Sequence, residues 1–162
     1  MKYFEGLLDE PTIKIRYKEL AKQYHPDLGG DTEIMKEINS QYDKVLREFY
    51  QQSGKSLEEV DEILEKDIIL RNKISEIISL EGIKVELCGK WIWLTGETKK
   101  HKDKIKESGF LWSPNKTAWY WRSDKSKSSN RHPKMSLDLI RYRWGSYDIK
   151  KGEKQNARML TE

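Results

Sequence analysis

The sequence predicts an α+β protein: an N-terminal α-helical hairpin, a long linker helix and a small C-terminal β-β-α-β-β-α domain. Apolar residues recur with helical spacing on both sides of Tyr24-His25-Pro26-Asp27, and from residue 83 they alternate with polar residues as in a strand. The charge changes along the chain as well. Residues 1–55 hold nine Lys and Arg against ten Asp and Glu, residues 56–82 three against eight, and residues 83–162 nineteen against nine. The last part, with a net charge of +10, favours an anionic partner.

The N-terminal third is predicted to be helical. Residues 2–8 are expected to form a short helix. Asp9 can cap the next helix, Pro11 suits its first turn, and this helix is expected to end near Tyr24. Another helix is predicted from about Thr32 to Gln51. The apolar faces of the two longer helices consist of Ile13, Tyr17, Leu20, Ala21 and Tyr24, and of Ile34, Ile38, Tyr42, Val45, Leu46 and Phe49.

A short loop separates these two helices. Pro26 cannot continue a helix, and it biases the residue before it, His25, away from helical angles. Gly29-Gly30 loosens the chain, and Asp31 or Thr32 can cap the helix that follows. The loop is therefore expected to present His25 and Asp27 at the tip of an antiparallel hairpin. Three lysines that recur every four residues lie on one face of the first helix and lead to this tip: Lys14, Lys18 and Lys22.

From Lys2 to Phe49 the sequence resembles the J-domain of DnaJ-type co-chaperones. The resemblance is carried by Tyr3-Phe4, Leu7-Leu8, Ile13-Lys14, Tyr17-Lys18, Leu20-Ala21, Tyr24-His25-Pro26-Asp27, Glu37-Ile38-Asn39, Tyr42 and Val45-Leu46. It implies a J-domain over residues 1–52 and a DnaK-type ATPase as partner. It also implies that Asp27 pairs with an arginine of that chaperone, while His25 and Pro26 hold the loop shape. The chaperone-binding residues it implies are His25, Pro26, Asp27, Lys14, Lys18, Lys22 and Tyr24.

The sequence also departs from that family. Leu28 stands where the residue after the tripeptide is often basic, and Arg16 and Glu19 differ from common choices. A Gly/Phe-rich linker and CxxC zinc repeats are absent from the sequence. We therefore expect a J-domain joined to something other than the zinc-bearing client domain of a full-length DnaJ.

Residues 53–82 are predicted to form an amphipathic linker helix. Ser56 and Glu59 make a capping box at its start, and Glu81-Gly82 ends it after about 25 residues, or about 37 Å. Asp67 and Arg71 interrupt a heptad seam, so a sustained coiled coil is not expected. Packing on one or both domains and homodimerisation through residues 57–80 both stay open.

Residues 83–149 are predicted to form a basic, Trp-rich α+β domain. Strands are expected at 83–88 and 91–94, followed by a basic helix from Lys99 to Ser108 that Thr98 caps and Gly109 ends. Residues 110–112 and 117–122 then form a hairpin. Residues 123–134 are expected to be a mobile loop, and Ser136 caps a last helix with Leu137, Ile140 and Trp144 inward. This part resembles an uncharacterised module found beside J-domains in phage and mobile-element proteins, on the strength of Gly109-Phe110-Leu111-Trp112-Ser113-Pro114 and Ala118-Trp119-Tyr120-Trp121.

The tryptophans of this domain allow two interpretations. Trp91 and Trp93, like Trp119 and Trp121, share one face of a strand. They can form the buried face of a small sheet, or a platform on which the bases of a single-stranded nucleic acid stack beside lysines and arginines. A nucleic-acid-binding adaptor, with DNA or RNA as partner, is therefore the alternative to a co-chaperone whose C-terminal domain binds a client. The nucleic-acid-binding residues it implies are Lys99, Lys100, Lys102, Lys106, Tyr120, Arg122, Arg141 and Arg143.

Other classes of function are disfavoured. Cys88 is the only cysteine, so a disulfide or a thiolate metal cluster is not expected. His101 and His132 are expected on the surface, and the motifs of nucleophilic catalysis and of phosphate binding are absent from the sequence. We expect no enzyme, no cofactor, no metal site and no membrane span, and a cytoplasmic protein. Residues 150–162 are predicted to form a disordered tail.

Overall fold

A computed structural model describes residues 2–123 and 135–150 of the chain. It divides the chain into two compact units, residues 1–79 and residues 80–162. The first unit is helical and the second contains a five-stranded antiparallel sheet, so the predicted α+β class is confirmed. The predicted loop over residues 123–134 and the predicted tail over residues 150–162 lie outside the described residues except for Ser123 and Lys150, and Lys150 belongs to a strand rather than to a disordered tail.

The first unit contains three helices. They are α1 (Glu10–Tyr24), α2 (Thr32–Gln52) and α3 (Leu57–Ser75). The predicted helix over residues 2–8 is wrong, because residues 2–6 form turns and Gly6 has a left-handed φ of 76°. The left-handed Gly6 interrupts a helix within this segment, which contributes to the core through Phe4 instead.

The predicted helix starts are confirmed by their caps. The Asp9 carboxylate accepts a hydrogen bond from the Thr12 N–H at 2.9 Å, and Asp31 caps α2. Ser56 and Glu59 form the reciprocal capping box at the start of α3. Polar groups that the first helical turns leave unpaired are thereby satisfied by side chains that the sequence makes recognisable.

The three helices share one apolar core. Tyr17 of α1 stacks on Tyr42 of α2 with ring centroids 4.2 Å apart, and Val60 and Leu64 of α3 are buried beside them. The predicted linker helix is thus part of the first unit, and it ends at Ser75 after 19 residues rather than about 25. Its residues Leu57, Ile68 and Ile69 remain exposed, and the homodimer through residues 57–80 stays a prediction.

Arg71 of α3 lies at the centre of a polar cluster within this core. Its guanidinium lies 5.2 Å from the ring centroid of Tyr17 and 5.1 Å from that of Tyr42. It donates to the Asp43 carboxylate at 2.5 Å, and its Nε lies 2.8 Å from Asp67 Oδ2 in an ion pair that lacks hydrogen-bond alignment. Burial raises the pKa of Asp67, and the positive charge of Arg71 opposes that rise. Arg71 therefore compensates a buried carboxylate while it ties α3 to the α1–α2 pair.

The second unit is built on an antiparallel sheet of five strands. The strands are β1 (Ile83–Cys88), β2 (Trp91–Gly96), β3 (Leu111–Ser113), β4 (Ala118–Arg122) and β5 (Tyr147–Lys150); the helices are α4 (Lys102–Glu107) and α5 (Leu137–Trp144). The strand order in the sheet is β3-β4-β2-β1-β5. A 3-10 turn and α4 lie between β2 and β3, and α5 lies between β4 and β5.

The register of the strands assigns the tryptophans to two faces. Glu86, Trp93 and Tyr120 are neighbours across β1, β2 and β4, and Leu137 and Ile140 of α5 pack against this face. The opposite face carries Val85, Leu94, Trp119 and Trp112 in register, together with Ile92 and Trp121. Trp93 and Trp119 are buried and Trp121 is half-buried, as expected if these indoles form the core of the sheet.

Two predictions for the second unit are wrong, and one strand was not predicted. Thr98 does not cap a long basic helix, because it is buried in a 3-10 turn (Thr98–His101) that precedes the six-residue α4. Trp144 is 53% exposed rather than inward, because α5 ends there and its indole lies over Gly89. The strand β5 was not expected after the last helix, yet it pairs with β1 through a register shift between Val85 and Glu86.

The helices between residues 2 and 150 that the structure describes are all too short or too polar to cross a bilayer.

Candidate functional site

The loop between α1 and α2 follows from the proline within it. The last helical hydrogen bond of α1 runs from the His25 N–H to the Ala21 carbonyl at 2.9 Å. Pro26 then starts a 3-10 turn (Pro26–Leu28), which the Gly29 N–H closes on the Pro26 carbonyl. Gly29 has a φ of 87°, a left-handed conformation that glycine adopts without a steric penalty. The tripeptide therefore sits on backbone that its own hydrogen bonds hold.

The His25 ring supports this loop from within. Its Nδ1 accepts a hydrogen bond from the Asp27 N–H at 3.2 Å, and its Nε2 lies 3.0 Å from the Ser75 hydroxyl of α3. Because Nδ1 is an acceptor, Nε2 carries the ring proton and donates a hydrogen bond to the Ser75 hydroxyl oxygen. Burial lowers the pKa of the ring, which keeps this neutral tautomer populated at neutral pH.

Asp27 is presented outward. Its backbone N–H is bound by His25, whereas its side chain is exposed to solvent. Within the part of the chain that the structure describes, the Asp27 carboxylate makes no hydrogen bond or ion pair. The loop thus fixes the backbone of Asp27 and leaves the charge of its side chain accessible. Pro26, the residue before it, is exposed as well.

The lysine stripe on α1 is less uniform than the sequence suggests. Lys14 pairs with Glu10 at 2.5 Å, and Lys22 is exposed. Lys18 is half-buried, and burial together with the charge of Lys14 lowers its pKa to about 8. Tyr24 packs against the core of the unit. The three lysines and Tyr24 do lie on the helix that leads to the loop, but of the three lysines only Lys22 has an exposed side chain.

Gly30 is required by close packing inside the loop. A Cβ at this position would lie 2.2 Å from the Tyr24 carbonyl carbon, whereas a Cβ at Gly29 would meet nothing within 4 Å. We expect Gly30→Ala to force the loop backbone apart and to destabilise the first unit more than Gly29→Ala, whose left-handed φ costs about 1–2 kcal/mol.

This pair of variants is compared by urea unfolding, monitored by circular dichroism at 222 nm. Equal midpoints for the two variants would show that Gly30 is not needed for the loop shape.

Ser75 and Arg71 were not recognised as part of this site from the sequence. The available signal was that Asp67 and Arg71 interrupt the apolar pattern of α3, because polar residues at core-facing positions need buried partners. Nothing in the sequence indicates that Ser75 meets His25, which lies 50 residues earlier.

The candidate nucleic-acid-binding residues are divided between the two ends of the sheet. Gly82 and Glu97 are hydrogen-bonded where β1 begins and β2 ends, and the 3-10 turn with Lys99 and Lys100 starts there. The turn between β1 and β2 lies at the other end, about 20 Å away along six-residue strands. Arg122 lies at that end, because it pairs in register with Trp91. The predicted residues therefore do not form one patch.

Tyr120 and Arg141 are among the candidate residues that are engaged within the fold. Tyr120 is half-buried, with its ring centroid 5.5–5.6 Å from those of Trp91 and Trp93. Arg141 donates to both oxygens of the buried Glu86, at 2.7 and 2.6 Å. By contrast, Lys99, Lys102, Lys106 and Arg143 are exposed.

Glu86 is the buried charge of the second unit. It is 1% exposed, and it accepts hydrogen bonds from Arg141 and from the Ser146 hydroxyl. Burial by itself raises the pKa of this carboxyl, but the hydrogen bonds outweigh it and the net pKa lies below the ordinary 4.5. Its ionised form therefore stabilises the fold above the pKa of the unfolded chain, and this stabilisation is lost as pH falls through the lowered pKa.

We expect Arg141→Ala to lower the free energy of unfolding of the second unit by about 3 kcal/mol at neutral pH, because it removes two charge-assisted hydrogen bonds from the buried Glu86 carboxylate and leaves Lys84, 3.4 Å from Glu86 Oε1, as its counter-ion. Arg143→Ala, on the same helix but exposed, is the matched control. Tryptophan fluorescence follows the urea transition, since all six tryptophans belong to this unit. A similar loss of stability in both variants would contradict a structural role for the ion pair between Arg141 and Glu86. The same conclusion would follow if Glu86→Gln lost stability at acid pH just as the wild-type chain does.

Within residues 2–123 and 135–150, no three His, Cys, Asp or Glu side chains lie close enough together to hold a metal ion. Cys88 is buried, and burial raises the pKa of its thiol. Comparisons of the chain with protein-family models, with curated proteins and with solved structures found no match.

Proposed function

We propose that this chain is a J-type co-chaperone, which recruits a DnaK-type chaperone and stimulates its ATP hydrolysis through the loop between α1 and α2. The observation that carries this proposal is the exposed Asp27 carboxylate at the tip of an antiparallel helical pair, on a loop held by His25 and Gly30. A carboxylate on a fixed backbone is suited to a charge-assisted contact with a cation of a larger partner.

The flanking helix supports the same proposal. Lys22 is exposed one turn before the loop, and Lys14 lies two turns further back on that face. Basic and acidic groups side by side favour a partner with the complementary arrangement, and such an arrangement sets orientation and association rate more than affinity. The co-chaperone acts in the cytoplasm without an active site of its own, and its second unit recruits the client.

Helix α3 takes part in this proposed mechanism as a positioning element. The Ser75 hydroxyl oxygen accepts a hydrogen bond from the Nε2–H of His25, in the tautomer in which Nδ1 accepts from the Asp27 backbone N–H. The conformation of the loop tip therefore depends on the last residue of α3. Arg71 ties this helix to α2 through Asp43 and to α1 through the ring of Tyr17.

The proposal is tested by the steady-state ATPase rate of a DnaK-type chaperone with and without the full chain. We expect the wild-type chain to increase the rate and His25→Gln to remove most of the increase, since the flexible Gln side chain does not hold the Asp27 N–H and Ser75 as the rigid ring does. No increase with the wild-type chain, or the same increase with both, would contradict the proposal.

A further inference from the structure

Exposed aromatic residues are concentrated at the end of α5. Tyr142 is 89% exposed and Trp144 is 53% exposed, although most other aromatic residues of the second unit are buried or half-buried. Arg143 lies between them and is exposed as well. Large aromatic surfaces left in water next to one another are uncommon unless a ligand or a partner covers them.

The fold brings further cationic residues to the same end of the sheet. Trp144 lies over the turn between β1 and β2, where a Cβ on Gly89 would be 3.6 Å from the Trp144 Cβ. Lys90, the other residue of this turn, is exposed. Arg122 ends β4 opposite Trp91, the first residue of β2 after the turn. We call Lys90, Arg122, Tyr142, Arg143 and Trp144 the cation–aromatic surface.

Arginine and indole are already paired in this surface. The Arg143 guanidinium lies 5.2 Å from the Trp144 ring centroid, and the Arg122 guanidinium lies 5.2 Å from that of Trp91. A guanidinium over an aromatic ring keeps its charge, so the exposed Arg143 can still bind a phosphate.

Among the residues that the structure describes in β1, α5 and β5, three carboxylates are engaged by other cations. Glu86 and Asp138 bind Arg141, and Asp148 lies 3.0 Å from Lys84. The cation–aromatic surface itself consists of three cationic side chains and two aromatic rings.

We propose that the cation–aromatic surface binds single-stranded nucleic acid. Tyr142 and Trp144 stack on unpaired bases, while Arg143, Arg122 and Lys90 contact the phosphates. Stacking on an exposed ring requires a base that is not already paired in a duplex, and it is tolerant of base identity. Phosphate contacts fix the position of the strand without reading its sequence. This binding does not depend on the proposed co-chaperone activity, since it uses only residues of the second unit.

The experiment measures binding of the full chain to fluorescent oligothymidine and oligouridine of about 20 nucleotides and to a duplex of equal length, by fluorescence anisotropy between about 50 and 200 mM salt. We expect both single strands to bind more tightly than the duplex, with affinity falling steeply as salt rises. Tyr142→Ala should weaken binding by at least about fivefold, and Arg143→Gln should reduce the slope of log affinity against log salt by about 0.7.

Matched controls lie at other places in the same unit. Trp112→Ala removes an indole that is 43% exposed on the edge strand β3, and Lys106→Gln removes an exposed charge on α4. Neither should change affinity by more than about twofold. The proposal is overturned if neither single strand binds at low salt, if the duplex binds more tightly, or if the controls weaken binding as much as Tyr142→Ala. Tyr142 and Arg143 are exposed, so their variants retain the folded unit, which tryptophan fluorescence verifies.

Discussion

Asp27→Asn is expected to abolish the stimulation of a DnaK-type ATPase while it leaves the first unit folded. Within the first unit Asp27 contributes only its backbone N–H to the loop, through the bond to His25, and Asn retains that group. The substitution keeps the side-chain shape and removes only the charge. Loss of one partner of a buried interfacial charge pair costs about 2–5 kcal/mol, so stimulation at a fixed concentration should fall about 30-fold or more.

The matched control for this prediction is Glu65→Gln, which neutralises an exposed carboxylate on α3 in the same unit. It should stimulate the ATPase as well as the wild-type chain does. If Asp27→Asn and Glu65→Gln have the same effect, net charge rather than the loop carboxylate determines the interaction.

Arg71→Ala is expected to produce the largest loss of stability in the first unit. Without Arg71 the half-buried Asp43 and the buried Asp67 carboxylate lose their shared counter-ion, and removal of one partner from a buried ion pair costs about 3–5 kcal/mol. The two tyrosine rings also lose the cation that lies over them. Since burial already raises the pKa of Asp67, the variant should regain part of its stability at acid pH, where that carboxyl is protonated in the fold.

Two spectroscopic signals make this prediction specific. Circular dichroism at 222 nm follows mainly the helices of the first unit, whereas tryptophan fluorescence reports on the second unit alone, because every tryptophan lies there. We expect Arg71→Ala to shift the first signal in urea and Arg71→Lys, which keeps the charge but not the fork of donors, to shift it less. A midpoint at 222 nm that is unchanged in Arg71→Ala would refute the role assigned to this cluster.

Local signals in the sequence account for most of the helix and strand positions. Asp9, Ser56 and Ser136 mark helix starts because a short polar side chain before an apolar pattern satisfies the free N–H groups of the first turn. Pro26 marks the loop because it cannot continue α1, and Gly109 ends α4 with a φ of 80°. Such features act over three or four residues and are therefore visible in one sequence.

The parts that the sequence did not predict depend on contacts between distant residues. The pairing of β5 with β1, the contact of Ser75 with His25 and the ion pair between Arg141 and Glu86 each join residues 50 or more positions apart. The composition alone could not separate the exposed Trp144 from the buried Trp93, since both lie in apolar patterns. What distinguishes them is the position of Trp144 at the end of α5, just before Gly145. The residues of α5 that pack against the sheet, Leu137 and Ile140, lie earlier in the helix.

The most direct test of the co-chaperone proposal is single-turnover ATP hydrolysis by a DnaK-type chaperone preloaded with ATP. We predict that the wild-type chain accelerates this step, and that it still does so when an excess of an unrelated substrate peptide occupies the client site. Asp27→Asn should leave the rate at the level of the chaperone with that peptide alone. A rate that is the same for wild type and Asp27→Asn, or an acceleration that the peptide abolishes, would mean that the chain acts as a client and not through its loop.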